Sequence, residues 1–183
     1  VPSAAVHPTE SRPHQGGGPI DFVDLHGQSH PWSEFSSYRC VVVVFLGNEC
    51  PLVQYYATRL EEISRSLASQ KSRLVGVNAN AQDSLTEISQ WKKRRGLTFD
   101  IFKDADHVLA DRLGATRTPE AFVLSPTGEI VYQGRIDDQY DVGIIRGASR
   151  RRTLEEGSDR YLAGQPLEVA RTQAPGCLIG RIK

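Results

Sequence analysis

Apolar residues recur along this chain with two periods, and the points where one gives way to the other delimit its elements. Ile20-Asp21-Phe22-Val23-Asp24-Leu25 alternates apolar and polar positions, the period of a half-buried strand, and His26-Gly27 supplies the turn after it. Val41-Val42-Val43-Val44-Phe45-Leu46 is a continuous run of β-branched and other apolar residues, the pattern of a central strand covered on both faces. Pro51 stands where a helix can begin, and Leu52, Tyr55, Tyr56, Leu60, Ile63 and Leu67 follow at helical spacing. Leu74 to Asn78 predicts a second buried strand. Asp83 or Ser84 is placed to cap the next helix, with Leu85, Ile88 and Trp91 on its inner face and Gly96 at its end. Phe99 to Phe102 reads as a short strand and His107 to Leu113 as a short helix closed by Gly114. Ala121 to Leu124, the turn Ser125-Pro126-Thr127-Gly128, and Glu129 to Tyr132 form a hairpin.

The order β, β, α, β, α, β, α, β, β predicts an α/β fold, a mixed central sheet with helices on both faces. Residues 1–18, rich in Pro, Gly, Ser and His and ending in Gly16-Gly17-Gly18, read as a flexible leader or linker. Past Gly134 the pattern weakens. Arg146 to Arg152 holds four arginines around Gly147-Ala148-Ser149 and reads as a solvated loop. A last helix is expected from Thr153 to Ala163, with Glu155 and Glu156 in its first turn. Leu167 to Lys183 is irregular but carries apolar residues and Cys177, so it is expected to pack back. The division is then a leader (1–18), a core domain (19–145) and a C-terminal extension (146–183).

Composition narrows the function classes. A chain of 183 residues, 39% hydrophobic and 24% charged, suits one soluble domain with a substantial core. A formal net charge of zero offers no long-range attraction to nucleic acid or anionic membrane. The longest strongly apolar run, Val41 to Leu46, is too short to cross a bilayer. Cysteines at 40, 50 and 177 are odd in number and contain no Cys-x-x-Cys, which argues against a disulfide framework or a zinc site. One pair plus a spare, or three free thiols, remain. His7, His14 and His26 are irregularly spaced and read as solvated residues rather than a metal tract. No cofactor or metal is expected. Methionine is absent, even at position 1, as expected of a processed or excised fragment that has lost any signal peptide or anchor.

The chemistry gathers around Phe45-Leu46-Gly47-Asn48-Glu49-Cys50-Pro51-Leu52-Val53, which sets Cys50 in the turn between a central strand and a helix. Unpaired N–H groups and the positive helix end stabilise a thiolate there, whereas Glu49 opposes this if it points at the sulfur. The position is at the carboxyl end of a sheet strand, where open α/β folds place their sites.

This block resembles the active-site turn of thioredoxin-like proteins, in the branch covering the alkyl hydroperoxide reductase/thiol-specific antioxidant family and periplasmic thiol–disulfide oxidoreductases. The resemblance covers roughly Pro19 to Gly134. Thr118-Pro119, ahead of the Ala121 to Leu124 strand, matches the cis-proline that these proteins set against the active cysteine, and Asp24-Leu25-His26-Gly27 with Trp32-Ser33-Glu34-Phe35 is similar to the redoxin opening. It implies a thioredoxin-like fold, Cys50 as nucleophile, Pro119 and Thr118 as the substrate-shaping element, and a periplasmic or secreted bacterial location.

Three departures qualify it. Val53 stands where a thioredoxin has its second cysteine, so a dithiol cycle within the turn is impossible. Gly47 stands where a typical peroxiredoxin has Thr or Ser, and Val43 where its proline falls. The arginine of peroxide activation has only Arg117 or Arg135 as candidates. Cys177, in Ala174-Pro175-Gly176-Cys177-Leu178-Ile179, offers a resolving thiol if the tail crosses the site; otherwise it is a small buried residue or part of a static disulfide. Cys40, at the start of a buried strand, reads as core. Asp137 and Asp138 read as an ion-pair network fixing their loop, and Asn78, Asn80 and Asp83 as turn and capping residues.

The leading expectation is an extracytoplasmic thiol–disulfide oxidoreductase acting on protein thiols and disulfides. A thiol peroxidase is one rival. A module holding copper through Cys50, Cys177 and a histidine such as His107, or a partner protein, is another. A redox-inert appendage of a larger secreted protein is the third.

Overall fold

A computed structural model of the chain describes residues 20–181. The leader reading for residues 1–18 lies outside them, as do His7 and His14.

The chain opens with an antiparallel hairpin, β1 (Asp21–Val23) and β2 (Ser29–Pro31). Its loop is tied by Asp24, whose Oδ1 accepts the N–H groups of His26 at 2.8 Å and Gln28 at 2.9 Å. One turn of 3-10 helix, Trp32–Glu34, leads to β3 (Val41–Leu46), α1 (Pro51–Ser69), β4 (Arg73–Asn78), α2 (Leu85–Arg94), β5 (Ile101–Lys103) and α3 (Val108–Leu113). Then come β6 (Arg117–Thr118), β7 (Glu120–Leu124), β8 (Ile130–Gly134), β9 (Tyr140–Asp141), β10 (Ile144–Ile145), α4 (Thr153–Leu162) and β11 (Cys177–Leu178).

The central sheet has the order β5-β4-β3-β7-β8. β3 runs parallel to β4, and β4 to β5, while β7 and β8 are antiparallel to their neighbours. β3 explains its own position, because both of its faces are covered. Val42, Val44 and Leu46 pack with Leu60 of α1, Trp91 of α2 and Leu154 of α4. Val41, Val43 and Phe45 pack with Phe22, Phe35 and Leu113 on the other side. Each such side chain contributes about 1.5–3 kcal/mol relative to exposure, so β3 anchors the sheet and fixes where the turn after it must lie.

Two residues of the expected inner faces point outward. Tyr55, 49% exposed, sits beside the α1 stripe and stacks on Tyr140 at a centroid distance of 5.2 Å. Leu85, 42% exposed, is the first residue of α2 and borders an open cleft instead of the core. The α2 cap is Ser84, which forms a reciprocal capping box with Glu87. His107 precedes α3 in the left-handed region rather than belonging to it. The loop after β8 is fastened by Asp137: Tyr56 donates its hydroxyl to Oδ1 at 2.5 Å, the Gln139 N–H does so at 2.8 Å, and Arg59 pairs with Oδ2.

The β1–β2 hairpin carries a pH-dependent clamp. His30 lies between Asp24 (Nε2 to Oδ2, 3.0 Å) and Glu34 (Nδ1 to Oε2, 2.9 Å). Hydrogen bonding to Asp24, then to Glu34, raises the His30 pKa above its ordinary 6.5. Hydrogen bonding to His30 first, then to the Gln28 N–H, brings Asp24 down to about 2. The histidine's contribution is therefore fully present below about pH 6.5 and fades as pH rises through the folded value. That of Asp24 is present above 3.8 and is lost as pH falls through about 2. NMR titration is expected to place the His30 midpoint above 6.5 and to bring it down in Asp24→Asn; a midpoint unmoved by that substitution contradicts the clamp.

Candidate active site

The turn Gly47-Asn48-Glu49 carries the chain from β3 into α1, and Cys50 is the N-cap of that helix with Pro51 in its first turn. Cys50 is only 4% exposed, and its thiol donates to the Thr118 carbonyl at 3.1 Å. The Thr118-Pro119 bond is cis, so the loop matched to the family's proline does lie against the cysteine. Glu49 is exposed.

Gly47, one of the departures, has a steric reason. A Cβ there would overlap Asn80 Nδ2 and lie 3.2 Å from Thr118 Oγ1, so side chains from two other loops already fill that space. Thr118 is 1% exposed and its hydroxyl has no hydrogen-bond acceptor in the thiol form. It is a buried donor held beside the sulfur.

The tail arrives on the same side. β11 pairs antiparallel with β6, setting Cys177 opposite Thr118 and Leu178 opposite Arg117. Five further contacts fix this docking. Arg117 donates to the Gly176 carbonyl at 2.7 Å, Ile179 N–H to Thr116 at 3.0 Å, and Gly180 N–H to Asn80 Oδ1 at 2.8 Å. Ala81 N–H donates to the Gly180 carbonyl at 2.8 Å, and His107 Nε2 meets the same carbonyl at 3.3 Å. Arg135 holds the tail earlier, through the Gln173 carbonyl at 3.1 Å. Both arginines considered for peroxide activation thus bind tail carbonyls. Cys40, 0% exposed, lies at the far end of β3 from Cys50.

The two facing sulfurs differ in acidity. Burial alone would raise the Cys50 pKa, but the Cys177 thiol, the Val53 N–H, the Thr118 hydroxyl and the Cys177 N–H together bring it below the ordinary 9.0. Cys177 is pushed up to about 11 by burial first and then by Cys50, with Arg117 opposing. Among the described residues, no group of three or more His, Cys, Asp or Glu side chains is arranged to hold a metal ion, so Cys50, Cys177 and His107 do not form the copper set considered from the sequence.

Asn78, Asn80 and Asp83 do more than the turn and capping duties expected of them. Asp83 Oδ2 accepts from the Asn48 N–H (3.0 Å), Asn78 Nδ2 (2.8 Å) and Asn80 Nδ2 (3.2 Å). Lys103 Nζ donates to the carbonyls of Asn80 at 2.6 Å and Asp83 at 2.7 Å. This network joins the Cys50 turn to the segment that grips Gly180. Its signal in the sequence was four amide or carboxylate side chains, Asn78, Asn80, Gln82 and Asp83, within six residues at a strand's carboxyl end. Asp83→Ala leaves three donors without an acceptor, and a loss of about 2–4 kcal/mol is expected. Urea unfolding checks this through a lower midpoint at unchanged slope; a loss under about 1 kcal/mol counts against the network's role.

A model of the AhpC/TSA family matches residues 18–133. No curated protein matches the chain. Among solved structures, a hypothetical protein from Sinorhizobium meliloti is 25% identical with a TM-score of 0.77, over 93% of this chain and 95% of that one. An uncharacterized conserved protein from Geobacillus kaustophilus is 20% identical with a TM-score of 0.80, over 100% and 98%. A secreted disulfide oxidoreductase from Mycobacterium tuberculosis is 18% identical with a TM-score of 0.52, over 61% and 79%. The fold is thioredoxin-like, and the first two likenesses necessarily take in most of the tail.

Proposed function

The chain belongs to the AhpC/TSA family, and on that premise we propose that it is an extracytoplasmic thiol–disulfide oxidoreductase in which Cys50 is the nucleophile and Cys177 the resolving thiol. The observation that carries this reading is the β6–β11 register, with Cys177 opposite Thr118 while Thr118 accepts the Cys50 thiol. It supplies from the tail the second sulfur that the turn lacks at Val53. In this reading the extension, residues 146–183, completes the site of the 19–145 domain.

The Cys50 thiolate attacks the substrate, and the helix N-terminus with the Thr118 hydroxyl stabilises its charge. With a protein disulfide, Cys50 forms a mixed disulfide and the partner thiolate leaves. Cys177 then gives up its proton, attacks Cys50 Sγ and expels the second partner thiolate, leaving a Cys50–Cys177 disulfide. Arg117 favours the Cys177 thiolate at that step. Thr118 and Pro119 shape the wall against which the substrate lies. The secreted Mycobacterium tuberculosis relative supports a location outside the cytoplasm.

A peroxidase reading has one observation of its own, because a cysteine only 4% exposed admits a hydroperoxide more readily than a folded protein. Steady-state assays with dithiothreitol, supplying in parallel a small disulfide and hydrogen peroxide, separate the two. The leading reading expects sustained disulfide turnover, lost in Cys177→Ser; turnover with peroxide alone transfers the assignment to the peroxidase.

A further inference from the structure

Beyond the tail strand, an open cleft of about 540 Å³ runs between the β1–β2 hairpin, β5 and the first turns of α2 and α3. Its floor is apolar and buried, formed by Phe22, Val77, Phe102 and Leu109. Its rim is apolar too, but open: Val23 is 39% exposed, Leu85 42% and Val108 66%. Exposed apolar side chains gathered around a groove mark an interaction surface. Because these three stand at the mouth, only a ligand lying across the opening covers them.

Charge indicates what that ligand carries. Five aspartates and one lysine line the cleft in a chain whose formal net charge is zero, so the negative field there is local. Three of the aspartates are engaged within the protein. Asp24 meets His30, Asp83 accepts the Asn48 N–H, and Asp104 accepts the N–H groups of Leu109 at 3.2 Å and Ala110 at 2.8 Å. Lys103 is turned onto the carbonyls of Asn80 and Asp83. Asp21 and Asp106 remain: both are exposed, and among the described residues neither carboxylate has a hydrogen-bond or ion-pair partner.

The cleft adjoins the redox site on two sides. Asp83 reaches from its wall to the Asn48 N–H in the Cys50 turn. His107, between Asp106 and Val108, meets the tail carbonyl of Gly180 at 3.3 Å. The stretch from Cys177 to Gly180 spans at most about 11 Å. A polypeptide engaged at the cysteines therefore needs only a few more residues to reach the cleft.

Resting on the reading of Cys50 and Cys177 as a thiol–disulfide couple, we propose that this cleft docks the substrate polypeptide, through an extended segment of apolar residues flanked by Lys or Arg a few residues from the reacting disulfide. The apolar side chains of the segment cover Val23, Leu85 and Val108, and its cations lie beside Asp21 and Asp106. These contacts are remote from the sulfurs and equal in ground and transition states, so they lower KM and leave kcat alone. The charged part of the preference lies on an exposed rim and fades as salt rises.

The test compares two disulfide-linked peptides as substrates of the whole chain, with dithiothreitol as electron source and the uncatalysed exchange subtracted. One carries Leu-Leu flanked by lysines a few residues from its cysteine; its twin has glutamates in their place. The lysine peptide is expected to show a KM lower by about tenfold or more at the same kcat. Asp21→Asn combined with Asp106→Asn is expected to bring the two KM values together, and Leu85→Ser to raise both. A cysteine-free version of the lysine peptide locates the contact without turnover, by shifting the amide resonances of Val23, Leu85 and Val108. Equal KM values in the wild type, or shifts confined to other residues, overturn the proposal and leave the proposed function standing. Turnover of neither peptide overturns the proposed function, and the docking role with it.

Discussion

Replacement of Cys50 by serine is expected to lower thiol-dependent turnover by on the order of 10³-fold or more, to the level of the uncatalysed exchange. Serine keeps the shape of the buried side chain, and its hydroxyl still reaches the Thr118 carbonyl that the thiol meets at 3.1 Å. Melting temperature is therefore expected to move only slightly. Cys177→Ser behaves differently. It retains one oxidation of Cys50 per molecule and loses the cycle, because nothing in the turn replaces the resolving sulfur. Cys40→Ser, at the other end of β3, disturbs a fully buried site and so lowers stability while sparing turnover. Cys50→Ser activity within tenfold of wild type removes Cys50 from the chemistry.

Gly176→Val is expected to unseat the tail without unfolding the domain. Gly176 has φ +131, a conformation that side chains rarely adopt, and a Cβ there would overlap the Thr118 carbonyl oxygen. Strain and overlap together weaken the docking of β11 by about 2–4 kcal/mol. The consequence is read at Cys50, which the tail helps to bury. Its alkylation rate is expected to rise roughly 30-fold or more as the docked state loses population, while far-UV circular dichroism keeps the signal of the sheet and of α1. Wild-type alkylation of Cys50 in this variant means that the tail does not guard it.

The long elements were legible because each repeats its pattern enough times to be read. Six consecutive apolar residues could only be a strand covered on both faces, and the stripe from Leu52 to Leu67 could only be a helix face. The helix after Cys50 and the loop at Thr118-Pro119 follow from such local signals, which is why these two parts of the candidate site were legible. The place of Cys177 was left open by the sequence. β6 and β11 are two residues each, too short for any period, and their pairing joins Thr118 to Cys177 across 59 residues of sequence. Register over that distance is set by the docking of Ile179 into the core, by Arg117 on Gly176 and by Asn80 on Gly180, none of which is a local property. Tyr55 and Leu85 show the converse error. Each has the spacing of a core residue, but one lies beside the buried stripe and the other stands at a helix start facing an open cleft. Gly47 was read as a defect against a family pattern, whereas Asn80 and Thr118 already occupy its side-chain space.

The central claim is that Cys50 and Cys177 form one redox couple, and the most direct measurement is a titration in glutathione redox buffers with alkylation and peptide mapping at each potential. The account predicts a single two-electron transition in which Cys50 and Cys177 are protected together and recovered together, while Cys40 stays a free thiol throughout. Cys50 and Cys177 both remaining free at the oxidising end, or a disulfide that includes Cys40, would contradict it.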